Sequence, residues 1–176
     1  MPSFLLDKSV ARRIVEALGH LDNLSPEEEL VLDLWRQLQV ERARLFIPVG
    51  ALHILQRFER LIEVRTFLAT VEPLESSRYV KRWARRLREY GFTHEDALVL
   101  ALATYGTDSI GGILGVDTLI TLDRPFFNNF QTHRAELQSR LAAMTDGLPE
   151  PYSNARLPVV QHPEELVHSA PAHFRH

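Results

Sequence analysis

Short apolar runs that stop at a polar residue alternate along this chain with longer stretches of helical spacing. Phe4-Leu5-Leu6 stops at Asp7 and predicts a buried strand. Ser9 caps the next element, in which Val10, Ile14, Ala17, Leu18 and Leu21 recur at helical intervals. The clearest start signal is Ser25-Pro26-Glu27-Glu28, which combines an N-cap, proline at the first helical position and a glutamate three residues in. Leu30, Leu34 and Leu38 line the helix it opens, expected to end near Ala43. Residues 45–49 form a second apolar run, cut by Pro48, and Leu52, Leu55, Phe58 and Ile62 predict a helix after it. A weaker strand signal lies at 66–71.

The second half continues the alternation. A helix is expected over 78–90, ending at Gly91, and Thr93 opens another over 95–105. That helix is almost wholly apolar from Ala97 onward and is expected to be buried on most sides. Residues 106–115 hold four glycines and read as a loop. Thr118-Leu119-Ile120-Thr121-Leu122 is the best strand in the chain, with Asp123 just past its end. A helix over 135–144 follows, then Leu157-Pro158-Val159-Val160, a short strand that its proline confines to a sheet edge. Residues 1–166 read as one domain and 167–176 as a flexible tail. Such alternation predicts an α/β fold of three layers, α/β/α, around a mostly parallel central sheet.

Composition narrows the classes. A chain of 176 residues suffices for one domain with a sizeable core. Its longest apolar run, 97–103, is too short for a bilayer, so no membrane partner is expected, and the absence of cysteine suits the expected cytoplasmic location. With no cysteine there is no disulfide, thiolate metal site or cysteine nucleophile. The net charge of −3 gives no general attraction to nucleic acid, so any polyanion must be met by a local patch or a metal.

In an open parallel sheet, ligands bind beyond the carboxyl ends of the strands. Asp7 and Asp123 follow predicted strands there. The helix carrying Asp96 must run antiparallel to the strand at 118–122, so its N-terminus shares that edge. Three carboxylates then converge on one crevice, which is costly unless a cation neutralises them or some take up protons. Hard oxygen ligands suit Mg2+ or Mn2+, and phosphodiester hydrolysis is the chemistry such a site serves best. Each aspartate also has a plain structural use. Asp96 sits three residues after Thr93, a capping-box position, and Asp7 and Asp123 could cap the next element.

Other features are less pointed. Arg78, Lys81, Arg82 and Arg85 form a basic stripe, suited to tracking RNA phosphates or simply to solvent. The 106–115 loop belongs at the opposite edge, which discounts Asp108 as a ligand and leaves the loop to partner or homo-oligomer contact. Phe126, Phe127 and Phe130 suit core packing or self-association, and His162, His168, His173 and His176 lack the fixed geometry of a metal site.

The ordered set of motifs resembles the PIN-domain family. Leu5-Leu6-Asp7-Lys8-Ser9 is similar to that family's first strand, with its aspartate and following hydroxyl residue. The segment from Gly91 through Asp96-Ala97 to Ala101 is similar to the family's Asp-Ala opening of a buried helix. Val116 to Asp123 resembles the final acid-bearing strand with its Thr-x-Asp ending, followed by the aromatic Phe126. Pro163-Glu164-Glu165-Leu166 resembles a late proline–glutamate stretch of bacterial members. The resemblance implies a PIN-like fold and a Mg2+- or Mn2+-dependent ribonuclease, in bacteria often the toxin of a toxin–antitoxin pair. RNA is the implied substrate and an antitoxin protein a partner. Asp7, Asp96 and Asp123 would be metal ligands or would orient the attacking water.

The chain departs from that pattern at two places. The family's usual fourth acid, a glutamate on the helix after the second strand, has no counterpart in residues 47–55. His53 is the nearest polar candidate, as a metal ligand, a proton carrier or a core histidine. Pro125 takes the place of a further acid, with Asn128 and Asn129 close by as neutral oxygen donors. A catalytically degenerate PIN-like module that binds RNA or protein is therefore the alternative. A small-molecule phosphatase would need an acid-x-acid motif, and Asp7-Lys8-Ser9 has one acid.

Overall fold

Five short strands, Ser3–Leu6 (β1), Arg44–Pro48 (β2), Val71–Leu74 (β3), Thr118–Ile120 (β4) and Val159–Gln161 (β5), pair in parallel in the order β3-β2-β1-β4-β5. The computed structural model describes residues 1–168. The helices are Lys8–Leu18 (α1), Pro26–Val40 (α2), Val49–Leu55 (α3), Ile62–Leu68 (α4), Val80–Arg88 (α5), His94–Tyr105 (α6), Arg124–Thr145 (α7) and Pro163–His168 (α8). Successive strand side chains point to opposite faces. Leu5, Phe46, Leu119 and Val160 therefore enter one core with α5, α6 and α7. Phe4, Leu6, Leu45, Ile47 and Ile120 enter the other with α1, α2, α3 and α4, and Leu166 and Val167 of α8 pack against it. The predicted three-layer arrangement is the one found. No helix among the described residues is long and apolar enough to cross a membrane.

Several elements differ from expectation: Asp7 rather than Ser9 caps α1, and the one helix expected through Leu52, Leu55, Phe58 and Ile62 is broken into α3, a 3-10 turn at Gln56–Phe58 and α4. The strand expected at 66–71 is instead the end of α4, and β3 follows at Val71–Leu74. Val64 and Phe67 are buried at helical spacing, so core packing outweighs the β-propensity of Thr66 and Phe67. The helix expected over 135–144 starts eleven residues earlier, at Arg124. Asp123 caps it, Pro125 stands in its first turn, and Phe126, Phe130, Leu137 and Leu141 are its buried positions.

The 106–115 loop follows the direction argument only in part, because Thr107 pairs with Glu75 just past the carboxyl end of β3 before the chain turns to the other edge. Asp108 is buried and bonded to Arg44 at the start of β2 (3.1 Å), away from the carboxyl edge. Gly115 has φ +68°, and a Cβ there would stand 2.5 Å from the Thr104 carbonyl oxygen, so only glycine lets the chain pass this close to the end of α6. At the C-terminus, Val167 and His168 belong to α8. The rest of the expected tail, with His173 and His176, lies outside the described residues.

Candidate functional site

The strand order reverses between β1 and β4: the chain builds outward from β1 through β2 to β3, then returns to place β4 on the other side of β1. A crevice opens at the carboxyl ends at such a switch point. Asp7 directly follows β1, and Asp123 lies just beyond β4. Asp96 reaches the same edge from the first turn of α6. All three line one cleft of about 440 Å³.

The plain structural uses hold for Asp7 and Asp123, while at α6 the cap is Thr93 and no reciprocal bond from the Asp96 carboxylate closes a capping box. Asp7 Oδ1 accepts from the Lys8 N–H (2.8 Å) and caps α1. Asp123 Oδ1 accepts from the Phe126 N–H (3.0 Å) and caps α7. The Asp96 N–H donates to Thr93 Oγ1 (3.1 Å). Capping fixes where each aspartate stands and leaves it able to line the cleft, so the two uses coexist.

A hydroxyl network ties the strand ends together. Thr121 Oγ1 donates to Asp7 Oδ2 (2.9 Å) and accepts from the Asp123 N–H (3.1 Å). Ser9 Oγ also donates to Asp7 Oδ2 (2.9 Å) and accepts from the Leu122 N–H (3.2 Å). Burial pushes the Asp7 carboxyl up, and these donors, with the Lys8 N–H, partly offset it. Asp96 is pushed up to about 6 by burial and by the charges of Asp123, Asp7 and Glu95. Removal of the central donor should be visible. Thr121→Val keeps the volume but leaves a buried carboxylate and an N–H short of a partner, at a cost of about 1–3 kcal/mol at neutral pH. The loss should shrink at a pH low enough to protonate Asp7, as denaturant midpoints at pH 4 and 7.5 would reveal.

Carboxylates with this donor chemistry fit a hard divalent cation, which would relieve the repulsion felt by Asp96. Among the described residues, no three acids or histidines stand at ligand spacing about one point. Glu95 also lines the cleft, and Lys8 Nζ pairs with it (2.8 Å), holding its carboxyl below the usual range. Much of the remaining lining is apolar, with Val49, Ala51 and Ile54 from α3 and Leu98, Val99 and Leu102 from α6.

The other candidates do not line this cleft. His53 is exposed on α3, neither a core histidine nor a lining residue. Asn129 donates to the Tyr90 carbonyl (3.2 Å), and Asn128 is exposed on α7. Phe126 and Phe130 are core residues. Lys81, Arg82 and Arg85 are exposed on α5 and Arg78 is exposed in the turn before it, whereas the residue of α5 that lines the cleft is the buried Val80. Sequence reasoning missed Lys8, Arg12 and Glu95 as lining residues. Lys8 and Arg12 are four apart on a helix that starts at a strand-end aspartate, a spacing that puts both on one face. The sequence matches no family model and no curated protein.

Proposed function

We propose that this chain is a PIN-like ribonuclease that hydrolyses RNA phosphodiester bonds with Mg2+ or Mn2+. One observation carries the reading: Asp7 and Asp123 follow adjacent parallel strands at the switch point, and Asp96 enters the same cleft from the opposite layer. Asp7, Asp96 and Asp123 would hold the cation, which supplies charge stabilisation at the phosphoryl group and an activated water. Ser9 and Thr121 fix the Asp7 carboxylate through Oδ2. Asp96, pushed up to about 6, changes protonation close to neutral pH. The toxin of a toxin–antitoxin pair, acting on cytoplasmic RNA and held by an antitoxin protein, is the setting that suits such an enzyme.

A second reading has its own support. Val49, Ala51 and Ile54 offer no carboxylate from α3, where the family's fourth acid would be expected. A degenerate module that binds RNA or protein fits that wall. The two readings separate with a labelled single-stranded RNA incubated with Mn2+. Cleavage that stops on chelation and falls by about a hundredfold or more in Asp7→Asn and Asp123→Asn supports the enzyme. Cleavage unchanged in both variants sinks it, and RNA binding that survives chelation without any cleavage favours the module.

A further inference from the structure

The cleft presents four carboxylates, Asp7, Glu95, Asp96 and Asp123, on a protein of net charge −3. A cation at the aspartates would meet one phosphate, yet a polyanion crossing this rim carries several, and each further phosphate needs its own cation. The basic stripe of α5 does not line the cleft, and the Arg78 guanidinium lies over the Tyr79 ring, 5.4 Å from its centroid. Two cations do line it, Lys8 and Arg12, both on α1.

Their states differ in a way that points to use. Arg13, the next residue, is committed to Glu27 (2.9 Å) and Glu16 (3.4 Å). Arg12 is exposed, and among the described residues it has no ion pair or hydrogen bond. Lys8 pairs with Glu95, but both side chains are more than half exposed, at 58% and 72%. An exposed pair of this kind is worth about 0–1 kcal/mol and gives up its lysine easily to a phosphate. Residues four apart on a helix lie about 6 Å apart along its axis, so the two cations form a short track leading away from Asp7. Arginine's planar fork of donors matches two phosphate oxygens at once, which favours Arg12 as the fixed contact and Lys8 as the mobile one.

We infer that Arg12, assisted by Lys8, grips a backbone phosphate of single-stranded RNA next to the phosphate at the aspartates, and so sets how the strand lies across the cleft. This rests on the ribonuclease reading of the same cleft. Arg12 is a positioning residue: its loss should weaken strand binding and leave the chemical step nearly intact.

The experiment measures binding of a labelled single-stranded RNA over a range of salt with divalent ions chelated, and cleavage kinetics with Mn2+, for the full chain and for Arg12→Ala and Arg12→Lys. Arg12 is exposed, so its substitution removes no core contact, and an unchanged circular dichroism spectrum checks that the fold is intact. One lost phosphate contact should lower the slope of log affinity against log salt by about 0.7 in Arg12→Ala. KM should rise several-fold with kcat within about twofold, the mark of lost binding shared by ground and transition states. Arg12→Lys should keep the slope and recover part of the affinity. If the full chain binds or cleaves RNA and Arg12→Ala matches it in slope and KM, the assignment is wrong while the ribonuclease reading stands. A slope that falls in Arg82→Ala instead moves the phosphate track to α5 and also overturns it. A full chain that neither binds nor cleaves RNA removes both. Binding without cleavage, with the slope lost in Arg12→Ala, keeps the phosphate grip and removes the catalysis.

Discussion

Asp96→Asn should abolish cleavage, by about a hundredfold or more, and at the same time make the metal-free protein more stable at neutral pH. The sign follows from the carboxyl's position. In the unfolded chain it titrates near the model value of 3.8, whereas in the folded cleft it is raised to about 6. Below pH 3.8 both states hold the proton and the group is neutral in its effect. Between the two values the folded state still holds a proton that the unfolded state has released, so stability falls as pH rises, and above about 6 the penalty is complete. Asparagine cannot ionise and escapes that penalty. It also gives up the favourable placement of an acid in a helix's first turn, a gain of about 0.3–1 kcal/mol that opposes the effect. Burial of the carboxyl, with repulsion from Asp123, Asp7 and Glu95 added to it, is the larger influence here. The difference in Tm between variant and parent should therefore be near zero at pH 4 and positive at pH 7.5. Added Mn2+ should raise the parent's Tm and leave the variant's almost unmoved. A variant that is less stable than the parent at pH 7.5 would show that Asp96 acts simply as a favourable first-turn acid of α6.

The second large effect lies in the support behind Asp96. Trp83 is fully buried on α5, in the core that α5 shares with α6. Truncation to alanine removes a large aromatic from a packed interior and should cost about 3–5 kcal/mol. At about 2–4 °C per kcal/mol for a chain of this size, Tm should drop on the order of 10 °C. Trp83→Phe should behave quite differently. The indole N–H is buried with no partner among the described residues, so its removal recovers part of what the smaller ring loses. Phenylalanine should therefore cost less than half as much as alanine. Equal losses in the two variants would mean that the N–H is satisfied, for instance by a buried water. Because α6 carries Asp96 at its other end, the alanine variant should also bind divalent ions less tightly than the phenylalanine variant.

Much of this architecture could be read from the chain because its strong signals are local. Ser25, Pro26 and Glu28 act within one turn and give the capping box found at α2. Leu5 and Leu119 are apolar runs flanked by polar residues, and they become neighbouring central strands. The failures lie where tertiary contacts outweigh local preference. Val71-Glu72-Pro73-Leu74 looks nothing like a strand, yet β3 is an edge and tolerates both a charge and a proline. Asn128 and Asn129 weaken the helical signal of α7, and its burial against the sheet carries the helix through them. In the site, the aspartates were legible because strand ends point to one edge. Arg12 and Glu95 were not, since their importance comes from sharing a cleft between layers that sequence spacing does not relate.

That cleft is also a seam. Asp7 and α1 belong to one helical layer and Asp96 and α6 to the other, and each layer packs on its own core. The exposed Lys8–Glu95 pair stitches them only loosely across the rim. A ligand gripped by both aspartates would fasten one layer to the other, as a rivet joins two plates. Sliding of one layer against the other must loosen that grip, and whatever stiffens the seam must tighten it. Affinity at the carboxylates would in this sense be a mechanical property of the whole sandwich.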